Sequence, residues 1–158
     1  MHQLHCYLLA LEIEPMLPES YERLPVHCTL VHRFLTDLEP GALATLVAPL
    51  LNETPPIELL FGAEEIFGPP PVMVNVIAAS AQHYKLHTSL VTTLAAAGVE
   101  YTEPQWVGLG YRPHVSHHNG AHLRTSSTVL CPAAYLIEVR VPGYDKLKFI
   151  RSKFNLNG

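Results

Sequence analysis

Apolar runs separated by proline, glycine and charge set the reading of the chain, and their periods predict its elements. Leu4 to Ile13 (LHCYLLALEI) is almost continuously apolar and ends in charge before Pro15 and Pro18, the pattern of a buried central strand. Val26 to Leu35 (VHCTLVHRFL) interleaves apolar and polar residues and predicts a second strand. Thr36 or Asp37 then caps a helix from about Pro40 to Leu51, with proline in its first turn. Two more strands, Ile57 to Phe67 and Val72 to Ala79, flank the turn Gly68-Pro69-Pro70-Pro71. Ser80 caps a longer helix, Ala81 to Ala97, in which Leu86, Leu90 and Leu94 recur on one face and Gly98 supplies the stop. After a turn-rich stretch, Val99 to Arg112, come a short strand within Arg112 to His118 and the alternating Tyr135 to Val141. The run Lys146 to Leu156 closes a terminal hairpin across Pro142-Gly143. The order β, β, α, β, β, α, β, β, β predicts an α+β protein of two similar halves, each helix adjoining a pair of strands.

Size and composition narrow the class. At 158 residues, with 48% hydrophobic and 15% charged residues, the chain has material for one packed domain, 1–158, and lacks the charge density of disorder. No apolar run reaches the ~18 to 20 residues of a membrane span. Met-His-Gln-Leu-His-Cys-Tyr has neither a basic leader segment nor a cleavage site, so a cytoplasmic location is expected. Three widely spaced cysteines, Cys6, Cys28 and Cys131, fit reduced thiols better than a disulfide framework. The net charge of −4 is divided unevenly. Residues 1–111 carry net −9, and residues 112–158 carry net +5. The total argues against avid, sequence-independent binding along a nucleic-acid backbone, while the basic C-terminal part leaves room for a small phosphate-bearing ligand.

Ten histidines supply the candidate chemistry. In a strand, residues i and i+2 share a face, so His27 with Thr29, and His114 with Ser116, each present an imidazole beside a hydroxyl. Such a pair suits phosphate: the hydroxyl donates to a phosphoryl oxygen while the imidazole exchanges a proton with an attacking or leaving oxygen. With seventeen serines and threonines, chance alone gives about one H-x-[S/T] triplet, and three occur. His87-Thr88-Ser89 falls in a predicted helix, where i and i+2 diverge. The other two fall in strands 87 residues apart, one in each half.

Leu24-Pro-Val-His27-Cys-Thr29-Leu-Val-His-Arg-Phe-Leu35 and Arg112-Pro113-His114-Val115-Ser116 resemble the paired H-x-[S/T]-hydrophobic motifs of the 2H phosphoesterase superfamily. That superfamily includes bacterial LigT-like 2′-5′ RNA ligases and 2′,3′-cyclic phosphodiesterases. His117 stands where the family usually has an apolar residue. The resemblance spans about residues 24–141 and implies a bilobal fold of two antiparallel sheets with flanking helices around a central cleft. It further implies phosphodiester cleavage or formation at a ribose 2′ or 3′ oxygen, without metal or cofactor.

On this reading His27, Thr29, His114 and Ser116 are the catalytic set, and Arg112, Tyr111, His118 and Trp106 contact a nucleotide or short RNA. Several competing roles stay open. Thr29 and Ser116 also suit ordinary strand positions, Arg112 a solvated loop, and Trp106, Tyr111 and Phe149 either base stacking or core packing. His114, His117, His118 and His122 match no standard zinc set. His83 and His87 have metalloprotease spacing, but Tyr84 replaces the required glutamate, which leaves helix packing or a cleft rim. Lys146, Lys148, Arg151 and Lys153 form a solvated face or steer an anion. A monomer without membrane or protein partner is expected. The alternatives are a nuclease acting on cyclic oligonucleotide signals, a nucleotide-binding module without turnover, and a zinc hydrolase.

Overall fold

The computed structural model describes residues 3–117, 125–140 and 147–158. Strand β1, His5–Glu12, is buried along most of its length because it lies inside a sheet rather than at an edge. It pairs antiparallel with β3, His27–Thr36, on one side and with β9, Ala133–Val139, on the other. The two-residue strands β2, Ser20–Tyr21, and β6, Glu100–Tyr101, complete this sheet together with β10, Lys148–Asn155. Its order is β2-β10-β9-β1-β3-β6. A second, four-stranded sheet has the order β7-β5-β4-β8, from β4, Ile57–Phe67, β5, Val72–Ile77, β7, His114–Ser116, and β8, Thr128–Cys131. Every pairing is antiparallel among the described residues. The α+β class and the two antiparallel sheets agree with the sequence expectation.

Two helices bury one stripe each. Helix α1, Pro40–Asn52, turns Leu43, Val47 and Leu51 inward, and α2, Ala81–Ala96, turns His83, Leu86, His87, Leu90 and Leu94 inward. The apolar ones among these side chains join Leu9, Leu11, Phe34, Leu59, Phe61 and Val115 in one cluster with members in both sheets. A smaller cluster, Leu8, Ala10, Met16, Leu24, Tyr135, Ile137 and Val139, covers the opposite face of the larger sheet. This second layer explains why β9 is buried at every position although its sequence alternates.

Local details correct the sequence reading. The residue before α1 is Glu39, with no side-chain cap, and Thr36 Oγ1 instead accepts from the Leu38 amide at 3.2 Å. Ser80 does cap α2, accepting from the His83 amide at 3.1 Å, and Gly98 adopts the left-handed φ of 84° just past its end. Short 3₁₀ turns, Pro104–Trp106 and Gly108–Gly110, occupy the turn-rich stretch. Strand β8 has no counterpart in the expected order, and β7 is confined to three residues. The turn at Pro142-Gly143, with Val141 and Lys146, lies outside the described residues, but β9 and β10 pair as the expected hairpin. No helix among the described residues is long and apolar enough to cross a membrane.

Candidate active site

Strand β3 supplies the first histidine pair. It departs from plain alternation through two register shifts against β1, one at Leu30 and one at His32-Arg33. Cys28, Leu30 and Val31 all enter the core, while His27, Thr29, His32 and Arg33 line a cavity of about 470 Å³. Strand β7 supplies the second histidine from the other sheet. Val115 is buried between the half-buried His114 and Ser116, and His114 lines the same cavity. Leu8, Glu22, Arg23, Leu24, Val72, Glu103 and Lys148 complete its wall.

Both histidines are held in the same way. His27 Nδ1–H donates to the Pro25 carbonyl at 2.9 Å, and His114 Nδ1–H donates to the Arg112 carbonyl at 2.9 Å. A carbonyl can only accept, so each neutral ring carries its proton on Nδ1 and its lone pair on Nε2. In each case the accepting residue lies two positions upstream. Burial lowers the His114 pKa below 6.5, and the Arg112 charge adds to that, against the Arg112 carbonyl bond, which raises it.

Helix α2 clamps the two motifs together. Tyr111, just upstream of β7, donates its hydroxyl hydrogen to the Thr29 carbonyl at 2.8 Å and accepts from His83 Nε2–H at 2.8 Å. One turn further along α2, His87 Nδ1–H donates to the Leu30 carbonyl at 2.8 Å, while its Nε2 accepts from the Gly108 amide at 3.0 Å. The His87 and Tyr111 rings stack at 3.8 Å and 6°. Spacing i, i+4 places the two imidazoles on one helix face, where they pin the 108–111 turn against the irregular part of β3. Burial pushes the His83 pKa down to about 4 and lowers that of His87.

An aromatic wall adjoins His114. His32 lies 6.1 Å from it, roughly stacked, and Phe67 meets it edge-on at 4.7 Å. Trp106 stacks on Phe67 at 6.1 Å and tilts over His32 at 6.4 Å. Burial, followed by the charges of His114, His87 and Arg33, lowers the His32 pKa to about 4, so this ring is neutral at pH 7.

The family model described as the 2′-5′ RNA ligase superfamily matches residues 11–143. The chain belongs to the 2′-5′ RNA ligase superfamily. Solved structures similar to this superfamily member include a phosphoesterase, at 11% identity and TM-score 0.67, covering 99% of this chain and 100% of that one. Another is E. coli LigT complexed with 3′-AMP, at 11% identity and TM-score 0.63, covering 99% and 100%. A third, TT0787 of Thermus thermophilus, has 14% identity and TM-score 0.60, covering 97% and 98%. At these identities the likeness establishes the fold. No curated protein matches significantly in sequence.

The residues singled out in the sequence of this superfamily member take different places. His27, Thr29 and His114 meet at the cavity, whereas Ser116, two residues beyond His114 on β7, is not among its lining residues. Arg112 pairs with Glu65 at 3.1 Å and lies over the Phe67 ring at 4.9 Å, and it is not among the cavity-lining residues; its carbonyl is what positions His114. Tyr111, only 6% exposed, is an internal strut rather than a stacking platform. Trp106 belongs to the aromatic wall, and His118 and His122 lie outside the described residues. His117 Nε2–H donates to Asn75 Oδ1 at 2.6 Å, and Asn75 in turn donates to the Gly62 carbonyl, linking β7, β5 and β4. Among the described residues no group of three His, Cys, Asp or Glu side chains is placed to hold a metal ion. Sequence reasoning missed His32, Arg33 and Arg23, while Lys148, one of the basic residues it offered for steering an anion, does line the cavity. The available signal was the polar pair His32-Arg33 inside an otherwise apolar strand.

Proposed function

We propose that the protein is a phosphodiesterase acting on a ribonucleotide 2′,3′-cyclic phosphate or a 2′-5′ linkage, with His27 and His114 as its proton carriers. The observation that carries this reading is the matched pair of Nδ1–H to carbonyl bonds on two histidines that line one cavity from different sheets. One ring, neutral, takes a proton from the attacking water as the water oxygen bonds to phosphorus. The other, protonated, gives its proton to the ribose oxygen as the phosphorus–oxygen bond to it breaks. Thr29 and Ser116 donate to the non-bridging oxygens as their charge grows. Arg23, Arg33 and Lys148 on the cavity wall favour an anion over a neutral ligand. Membership of the superfamily supports the chemistry, and the complex of E. coli LigT with 3′-AMP supports a nucleotide as the ligand class.

The test is turnover of a panel of 2′,3′-cyclic nucleotides and 2′-5′ and 3′-5′ dinucleotides, with EDTA present. His27→Ala and His114→Ala are each expected to lower kcat about 10²- to 10⁴-fold while leaving the circular dichroism spectrum intact. Full activity in either variant refutes the assignment. Binding of the panel without product would make the protein a nucleotide-binding module instead.

A further inference from the structure

The cavity at the two histidines adjoins a larger one. A second cavity of about 1110 Å³ shares Arg33 and Glu103 with it, so the two form neighbouring compartments with a common wall. Cys6, Leu35, Thr102, Arg140 and Arg151 are among its other lining residues.

Three arginines, Arg33, Arg140 and Arg151, face three carboxylates, Glu39, Glu103 and Glu138, around this cavity, yet the cations are not all neutralised. Glu138 is engaged internally, accepting from Arg151 Nε at 2.8 Å and from His5 Nδ1 at 2.8 Å. Glu39 lies 3.6 Å from His5. Arg33 and Arg140 form no ion pair among the described residues. Arg140 and Arg151 lie over the Phe149 ring at 4.8 and 5.0 Å, so this ring, which is not among the cavity-lining residues, backs both guanidinium groups. Guanidinium groups bind phosphate, and their planes also stack on unpaired bases, so an arginine-lined groove can hold single-stranded nucleic acid. The first cavity is within the size range of a site for one small ligand, and the second continues it at more than twice the volume.

We propose that the larger cavity is a second subsite, which takes the nucleotides adjoining the reacting phosphate of a single-stranded oligoribonucleotide. Arg33 bridges the two compartments, Arg140 meets the next phosphate, and the Arg151 guanidinium plane supports a base, with Phe149 behind both arginines. The proposal rests on the first cavity's being a phosphodiester site, and it makes the preferred substrate an oligonucleotide rather than a mononucleotide.

Arg140→Glu tests it, since Arg140 is exposed and belongs to neither histidine-bearing strand. The probes are a fluorescent pentaribonucleotide bearing a 3′-phosphate, followed by anisotropy, and a 3′-mononucleotide as competitor. The wild-type protein is expected to bind the pentamer about tenfold or more tighter than the mononucleotide, and Arg140→Glu to remove most of that advantage. The slope of log affinity against log salt for the pentamer should become shallower by about 0.7 for the lost phosphate contact. Mononucleotide affinity should not change. Equal pentamer affinity and salt slope in the two proteins, or equal loss for both ligands, overturns the subsite. Because this readout is binding, it stands apart from the reaction. A pentamer-specific loss without turnover of any panel member upholds the subsite and sinks the catalytic reading, while turnover with no such loss does the reverse.

Discussion

Replacing Tyr111 with phenylalanine removes one oxygen atom and, with it, two buried hydrogen bonds. The hydroxyl lies 2.8 Å from the Thr29 carbonyl and 2.8 Å from His83 Nε2, at a residue 6% exposed, so no water can take its place without rearrangement. A buried polar group left without a partner costs about 1–3 kcal/mol, and two are orphaned here, which gives about 2–4 kcal/mol after partial relaxation. The Phe ring keeps the stack on His87, so the packing contribution survives. Against a total stability of about 5–15 kcal/mol the variant still folds. For a chain of this size the melting temperature should fall by roughly 5–15 °C. Thermal and urea unfolding of the wild type, Tyr111→Phe, His83→Leu and the double variant measure this directly. The double variant should be less destabilised than the sum of the singles by about 1 kcal/mol or more, because both singles break the same bond. A substrate-stacking tyrosine would behave in the opposite way, keeping full stability as phenylalanine. A Tyr111→Phe protein within about 0.5 kcal/mol of the wild type would refute the strut.

Acid should destabilise the fold well before its carboxylates titrate. The His83 pKa is about 4 when folded against 6.5 ordinarily, so the unfolded chain takes up a proton first and stability is lost as pH falls from about 6.5 towards 4. At about 1.4 kcal/mol per pH unit, His83 alone removes about 2 kcal/mol by pH 5, and His32 acts in the same direction. Urea midpoints at pH 7 and pH 5 check this, and less than about 1 kcal/mol of change would contradict it. Ser80→Ala should cost about 1 kcal/mol in the same assay through the lost cap on α2, with Ser80→Asp restoring it. Arg112→Ala should leave stability within about 1 kcal/mol, since its pair with Glu65 is half exposed on both sides. It should also leave kcat/KM nearly unchanged, because only the backbone of Arg112 touches His114. A hundredfold loss, equivalent to ~2.7 kcal/mol of transition-state stabilisation, would show that the guanidinium reaches the phosphate.

Much of the architecture was legible because it is written in local periods. The continuous apolar run of β1 marked an interior strand, Ser80 and Gly98 bracketed α2, and the two H-x-[S/T] triplets fell on strands from different sheets. The rest depends on non-local partners. A period of two cannot register a bulge, so the shift at Leu30 hid the fact that His32 shares the cavity with His27. Tyr111 stayed open between base stacking and core packing, because the sequence does not show a partner for its hydroxyl. Only the carbonyl of Thr29, 82 residues away in the chain, turns it inward. Strand β8 escaped because its four residues alternate weakly and gain their place from pairing with β4. Arg112 lies just before β7, and Glu65 on β4 draws its side chain aside.

The like-for-like mounting of His27 and His114 bears on the direction of the reaction. Each ring rests on a carbonyl two residues behind it at the same 2.9 Å, so the backbone gives neither one a fixed title to donor or acceptor. In the proposed chemistry, a completed cleavage leaves the former acceptor protonated and the former donor neutral, which is the starting state for the return journey. Such a site has no arrow of its own. Ring strain in a cyclic phosphate and the excess of water would drive hydrolysis, whereas two RNA ends held side by side would draw the same pair of imidazoles towards joining them.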